Sequence, residues 1–225
     1  MTKINKLLSA MLLTSALTSC IKSTSEQSVD TIDQLYTKMT QGERIAQLCG
    51  IHLDQFFDEN DQLDTLKCKE LLNDGIGHFS QFAVTQRKSP NQLRDMVEQM
   101  QNWLIHNTPN GIPALFHEEV LSGVATYNAT VYPQQIGVAC SFNPELAQKK
   151  TYQTASTLRK IGGGLALSPM VDIIRNPSFN RLEESYGEDC YLSSAMGVAF
   201  VKGLQHDNLY EGIAACTKHF LGYGG

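Results

Sequence analysis

Charge is scarce in this sequence. Of its 225 residues, 18% are Asp, Glu, Lys or Arg, which is low for a globular chain. The net charge is -5 and the signs are scattered, so there is no basic patch for a nucleic acid, and none is expected as a partner. A phosphate-loop signature, an internal repeat and a low-complexity segment are all absent. Gly162-Gly163-Gly164 leads into an apolar run rather than opening a helix, which makes it a weak nucleotide signal. Beyond Cys20, the cysteines stand singly at Cys49, Cys68, Cys140, Cys190 and Cys216. None is close enough to another for a zinc pair or a CxxC redox site. Most are expected to be buried small hydrophobes. No metal and no cofactor is expected. The apolar stretch from Leu7 to Leu17 is too short to span a bilayer, for which roughly 20 residues are needed.

What that stretch fits is a secretory signal. Lys3 and Lys6 precede it as a basic region, and Leu17-Thr18-Ser19-Cys20 follows it. The last four residues resemble a bacterial lipobox, in which the cysteine thiol is acylated; an ordinary signal peptide with a chance cysteine is the alternative. Residues 21–30 are polar and read as a tether. The expected organisation is a lipoprotein signal over 1–20, a tether over 21–30 and a domain over 31–225. The protein is expected to be exported, periplasmic or at the cell surface, and held to the membrane by its lipid alone.

The domain alternates helical and extended patterns. Thr40-Gln41-Gly42-Glu43 has capping-box spacing. Residues 51–65 are acidic with paired phenylalanines and show no clear periodicity. Leu66 to Asn73 reads as a helix. After Ser89-Pro90, the residues Leu93, Met96, Val97, Met100 and Leu104 share one helical face. Asn143-Pro144 is an N-cap with proline at the first helical position, opening a helix to about Lys160. Asp189 to Leu204 is a further helix. Strands are expected at Gly75–Phe79, Gly111–Phe116, Leu165–Ile173 and Gly212–Cys216. Strands separated by helices predict a parallel sheet, and four strands are half of an eight-stranded barrel. The fold class expected is therefore α/β, a (β/α)8 TIM-type barrel of which about the first half is present. The sequence stops in a glycine-rich loop, so it is expected to be the front part of a longer protein.

Polar residues collect where these strands end. Glu118 and Glu119 follow the second, Asp172 and then Arg175 the third, Lys218 and His219 the fourth. In a (β/α)8 barrel the carboxyl ends of the strands build the site. Charged groups of both signs converging there suit sugar hydroxyls, which donate and accept together. Singly, each residue also has a structural explanation. Glu118 and Glu119 fit one helix cap and one solvated acid, and Arg175 fits a loop staple to Glu183 or Glu184.

The ordered motifs carry a resemblance. Gly111-Ile112-Pro113-Ala114-Leu115-Phe116-His117-Glu118-Glu119, continuing to Leu121-Ser122-Gly123, is similar to the substrate loop of glycoside hydrolase family 3. Tyr132-Pro133-Gln134 and Phe142-Asn143-Pro144-Glu145-Leu146 resemble the segment that follows it. Arg175-Asn176-Pro177 through Arg181, then Glu184-Ser185-Tyr186-Gly187-Glu188-Asp189, resembles the family's long arginine loop. Lys218-His219-Phe220 with Gly222-Tyr223-Gly224 resembles its Lys-His-Phe signature. The similarity runs from about residue 35 to 225. Ser178-Phe179-Asn180 departs from the usual Arg-Trp-Gly, Cys190 replaces a usual proline, and Ser122 stands where many relatives carry histidine.

The resemblance implies the amino-terminal barrel domain of an exo-acting, retaining β-glucosidase or β-xylosidase, with a β-linked oligosaccharide or glycoside as its ligand. It implies that Glu119, Arg175, Lys218 and His219 hold hydroxyls of the terminal sugar. The family's nucleophile lies beyond the Lys-His-Phe motif and its acid/base in a following domain. No catalytic residue is therefore expected within this chain, and the chain alone is expected to have no turnover. Two alternatives stay open: a sugar-binding lipoprotein on the same barrel, and an enzyme cutting N-acetylglucosamine-containing wall fragments.

Overall fold

Capping chemistry sets where the helices begin. A computed structural model describes residues 32–86, 88–220 and 222–223. The signal, Cys20 and the tether lie outside the described residues. Ile32–Lys38 forms α1, a unit of its own with no buried residue. In the second unit, the Thr40 hydroxyl accepts from Glu43 N while the Glu43 carboxylate accepts from Thr40 N, and this box opens α2 (Gln41–Ala46). Asp64 caps α3 (Thr65–Leu71) and Ser89 caps α5 (Pro90–Asn107), separated by the short α4 (Phe82–Gln86). α6 (Gln135–Ala139) precedes α7 (Pro144–Lys160), which Asn143 caps, and Asp189 caps α8 (Cys190–Gln205). Each cap satisfies backbone donors that a helix start would leave unpaired.

The strands are β1 (Gly50–His52), β2 (His78–Ser80), β3 (Leu115–Glu118), β4 (Leu165–Ala166) and β5 (Ala214–Ala215). They form one sheet in the order β1-β2-β3-β4-β5, every pair parallel. A doubly wound sheet reverses direction at a switch point; this one does not. With right-handed crossovers, a sheet that always grows the same way collects its helices on one face. That is the winding of a (β/α)8 wall.

Ile51, Phe79 and Phe116 lie in register and point to the helix side. Phe79 stacks on Phe116 at 4.9 Å, and Phe82 meets Phe116 edge-on at 5.3 Å. Leu93, Met96, Val97, Met100 and Leu104 of α5 are all buried against this layer. α7 and α8 approach closely at Gly203, where a Cβ would lie 1.9 Å from Thr151 Oγ1.

The structure corrects the sequence reading in three places. The sheet has a fifth strand, β1; three residues are too few to show alternation. The run Leu165–Ile173 is not one strand. It pairs as β4, breaks at Ser168-Pro169 and resumes where Val171 N donates to Lys218 O and Lys218 N to Pro169 O. Proline has no N–H to give the ladder. Of the cysteines in the described residues, only Cys68 is buried; Cys49, Cys140, Cys190 and Cys216 are exposed free thiols. These four sit at or beside element ends, where a small side chain has no core to enter.

Candidate active site

The carboxyl ends of β3, β4 and β5 bring together residues far apart in sequence. Glu119 leaves β3, Asp172 follows the Pro169 break, and Lys218 and His219 follow β5 across a cis peptide. The Lys218 ammonium donates to Glu119 Oε2, with the lysine side chain 14% exposed and the glutamate 38%. The Asp172 carboxylate is buried, its side chain 2% exposed. It accepts from His219 Nδ1 at 2.8 Å, from His219 N at 3.2 Å and from Tyr223 N at 2.6 Å. One aspartate thus fixes both the imidazole and the backbone of the loop that carries it.

Arg181 closes the far side. Its Nε and Nη2 donate to the two oxygens of Glu184 at 2.8 and 2.6 Å, a bidentate pair. Its Nη1 lies 3.2 Å from His219 Nε2. A guanidinium only donates, so Nε2 accepts, and the proton of the neutral imidazole sits on Nδ1, facing Asp172. The Glu184 contact raises the Arg181 pKa further and lowers that of Glu184. The Arg181 guanidinium also stands 5.5 Å from the Tyr223 ring centre, and Tyr223 packs on His219 and Phe179.

Members of the array Glu119–Lys218 and Asp172–His219–Arg181–Glu184 line two openings. One, of about 750 Å3, is lined by Asp172, Lys218, His219 and Tyr223. The other, of about 470 Å3, is lined by Glu119, Ser122, Gln134, Arg181 and Glu184. The array offers donors on Lys218 and Arg181 and acceptors on Glu119 and Glu184, both of which hydroxyl groups can use. Among the described residues no group of His, Cys, Asp and Glu has a metal-holding arrangement.

Of the residues singled out from sequence, Glu119, Lys218 and His219 converge. Arg175 does not join them. It is exposed and lines a neighbouring opening of about 550 Å3 with Asn176, Phe179 and Tyr223. Arg181, at the far end of the same loop, makes the staple to Glu184. Sequence reading passed over the orienting role of Asp172 and the reach of Arg181. The signals were present: Asp172 is the one charge in an apolar run, and Arg181 and Glu184 stand three apart.

Of the two glutamates, Glu118 is the cap. It is 3% exposed, and its carboxylate accepts from Ala83 N at 2.5 Å at the start of α4. Burial outweighs that hydrogen bond and pushes its pKa up to about 7. On the other face of the sheet, burial, then His78 and His52, push buried His117 down to about 4, so it is neutral at pH 7. Between pH 4.5 and about 7, folded Glu118 keeps a proton that the unfolded chain releases. Its stabilising contribution is therefore full below pH 4.5 and lost as pH rises through 7. Glu118→Gln removes the titration. Wild type should lose stability relative to this variant across that window, by about 3 kcal/mol at most. Paired thermal melts at pH 4.5 and 7.5 check it; parallel pH curves for the two proteins would contradict it.

Val120, next to Glu119, has φ 49°. A β-branched residue in the left-handed region is a genuine outlier, and such strain, about 1–3 kcal/mol, collects at functional sites.

Comparison with known proteins identifies the family. The model of the glycosyl hydrolase family 3 N terminal domain matches residues 40–225. A beta-xylosidase from Formosa agariphila is 40% identical over 141 residues, 58% of this chain and 20% of the relative. The periplasmic beta-glucosidase of Salmonella typhimurium is 30% identical over 198 residues, 86% of this chain and 23% of the relative. Among solved structures, a β-glucosidase from Erythrobacter marinus superposes with a TM-score of 0.75 at 29% identity, covering 84% of this chain and 25% of that one. The chain thus spans about a quarter or less of the length of these relatives. The chain belongs to glycosyl hydrolase family 3, the model of whose N-terminal domain matches residues 40–225.

Proposed function

We propose that the intact protein is an exo-acting, retaining β-glycosidase of the β-xylosidase or β-glucosidase type. The observation that carries this reading is the paired array at the strand ends, Lys218 on Glu119 and His219 between Asp172 and Arg181. In this reading Glu119, Lys218, His219 and Arg181 bind hydroxyls of the terminal sugar. Arg175 lies at the exposed entry of the same loop, and the place for an arginine beside the sugar falls to Arg181. The carboxylates within the array are held in ion pairs or hydrogen bonds, which suits binding rather than nucleophilic attack. The nucleophile and the acid/base of a retaining mechanism would come from outside residues 1–225. The beta-xylosidase and beta-glucosidase names of the relatives support the substrate class. Export with a lipid on Cys20 is part of the proposal, supported by the basic, apolar and small-residue order before that cysteine.

One expression experiment tests both parts. The intact protein should hydrolyse 4-nitrophenyl β-xyloside or β-glucoside and sediment with membranes, and Cys20→Ala should shift it to the soluble fraction. Sugar binding without hydrolysis of either compound would make it a non-catalytic receptor. A Cys20→Ala protein that stays membrane-bound with unchanged mobility would remove the lipid anchor.

A further inference from the structure

α7 carries a lysine on its buried side. Lys150 is 7% exposed and shares that side with Ala147, Thr151, Thr154 and Ala155. Taking an ammonium out of water is unfavourable unless its hydrogen bonds are replaced. Here two backbone carbonyls replace them: Nζ donates to Leu121 O at 2.6 Å and to Pro133 O at 2.9 Å. No carboxylate pairs with it among the described residues. Burial pushes its pKa down to about 8.

Both carbonyls belong to the segment that leaves Glu119. Leu121 O also accepts from Gln135 Nε2 at 2.6 Å, and Gln135 is fully buried. Between the two anchor points the segment is closed on itself, with Tyr132 N donating to Ser122 O at 2.8 Å. At Gly123, with φ 100°, a Cβ would lie 2.5 Å from Thr130 O. On the other side of Glu119, the Ser168 hydroxyl donates to Glu119 O. Between Glu119 and Leu121 lies only Val120, in a left-handed conformation that its own side chain disfavours. A residue so placed persists only where its surroundings over-determine it. The donors on Leu121 supply that constraint one residue away.

We infer that Lys150, assisted by Gln135, is a positioning residue: it clamps the 121–133 segment and thereby holds Glu119 against Lys218 in the sugar site. A lysine suits this place because it brings several donors on one long stem. An apolar side chain there would fill the space but take this donor from Pro133 O and leave Leu121 O to Gln135 alone.

The test compares wild type, Lys150→Met and Gln135→Leu in the intact protein. The first measurement is amide exchange. Lys150→Met should speed exchange over 119–134 by at least about tenfold at 25 °C, with the amides of α7 unchanged. The second is hydrolysis of a nitrophenyl β-glycoside, and this arm rests on the proposed function. KM should rise about tenfold and kcat stay within about threefold, the pattern of lost uniform binding. Gln135→Leu should move both measurements the same way by a few-fold, and it decides the matter if Lys150→Met does not fold. Unchanged exchange over 119–134 would overturn the inference. So would exchange raised equally in α7 with KM unchanged, which would make Lys150 a general staple of the fold. If wild type cleaves no glycoside, the proposed function fails and the exchange arm alone decides the clamp.

Discussion

Asp172→Ala should be the most damaging single change in the site. The side chain accepts three hydrogen bonds, two of them from the backbone N–H groups of His219 and Tyr223. Alanine leaves both amides without that acceptor, and an orphaned buried donor costs about 1–3 kcal/mol. The expected loss is about 3 kcal/mol or more, which lowers Tm by roughly 10 °C for a chain of this size. Sugar affinity should fall as well, because the Nδ1 proton of His219 loses its acceptor and the ring its orientation. Asp172→Asn keeps one acceptor oxygen, which can serve His219 or Tyr223 N but not both, and should recover only part of the stability. Melting curves and kcat/KM on the intact protein separate the two. A Tm for Asp172→Ala within about 2 °C of wild type would show that the aspartate does not hold the loop.

Lys218→Ala should behave the opposite way. Its partner Glu119 is 38% exposed, so removing the lysine leaves a carboxylate that water can reach, and an ion pair of that kind contributes about 1 kcal/mol or less. The backbone bonds of Lys218 to Pro169 and Val171 survive the substitution. Tm should therefore change little. What is lost, under the proposed function, is a charged donor to a sugar hydroxyl, and hydrogen bonds to charged groups are worth roughly 1.5–3 kcal/mol. That corresponds to about a tenfold to hundredfold fall in kcat/KM. If Lys218→Ala melts as early as Asp172→Ala while the folded fraction keeps full kcat/KM, the lysine is structural and its role at the sugar is lost.

The contrast between these residues shows what a linear sequence discloses. α5 and its inward face were legible because Leu93, Met96, Val97, Met100 and Leu104 repeat at the helical period and Ser89-Pro90 marks the start. Glu119, Lys218 and His219 were legible because polar residues directly after apolar strands stand out. β1 was hidden because three residues cannot display a period. The Pro169 break was masked by the mostly apolar residues on both sides of it. Arg181 and Lys150 were harder still. Arg181 matters because its loop folds back to His219, 38 residues on, and Lys150 because the segment beneath it needs donors. The spacing of Arg181 and Glu184 marks a local pair but not the contact with His219, and nothing near Lys150 marks its two carbonyl partners. The exposed thiols show the same limit: a cysteine reads as apolar wherever it stands, and only the packing decides.

The one-way growth of the sheet also sets an order of assembly. Each strand docks on the edge formed by the strand before it, so the wall needs only contacts between consecutive units and can accrete as synthesis proceeds. The site cannot. The Lys218–Glu119 pair closes a loop of 99 residues and the His219–Asp172 contact one of 47, and neither can form until β5 has joined. The Lys218–Glu119 and His219–Asp172 contacts therefore form only after the strands that carry them have paired, and they are among the first to be lost when β5 parts from β4.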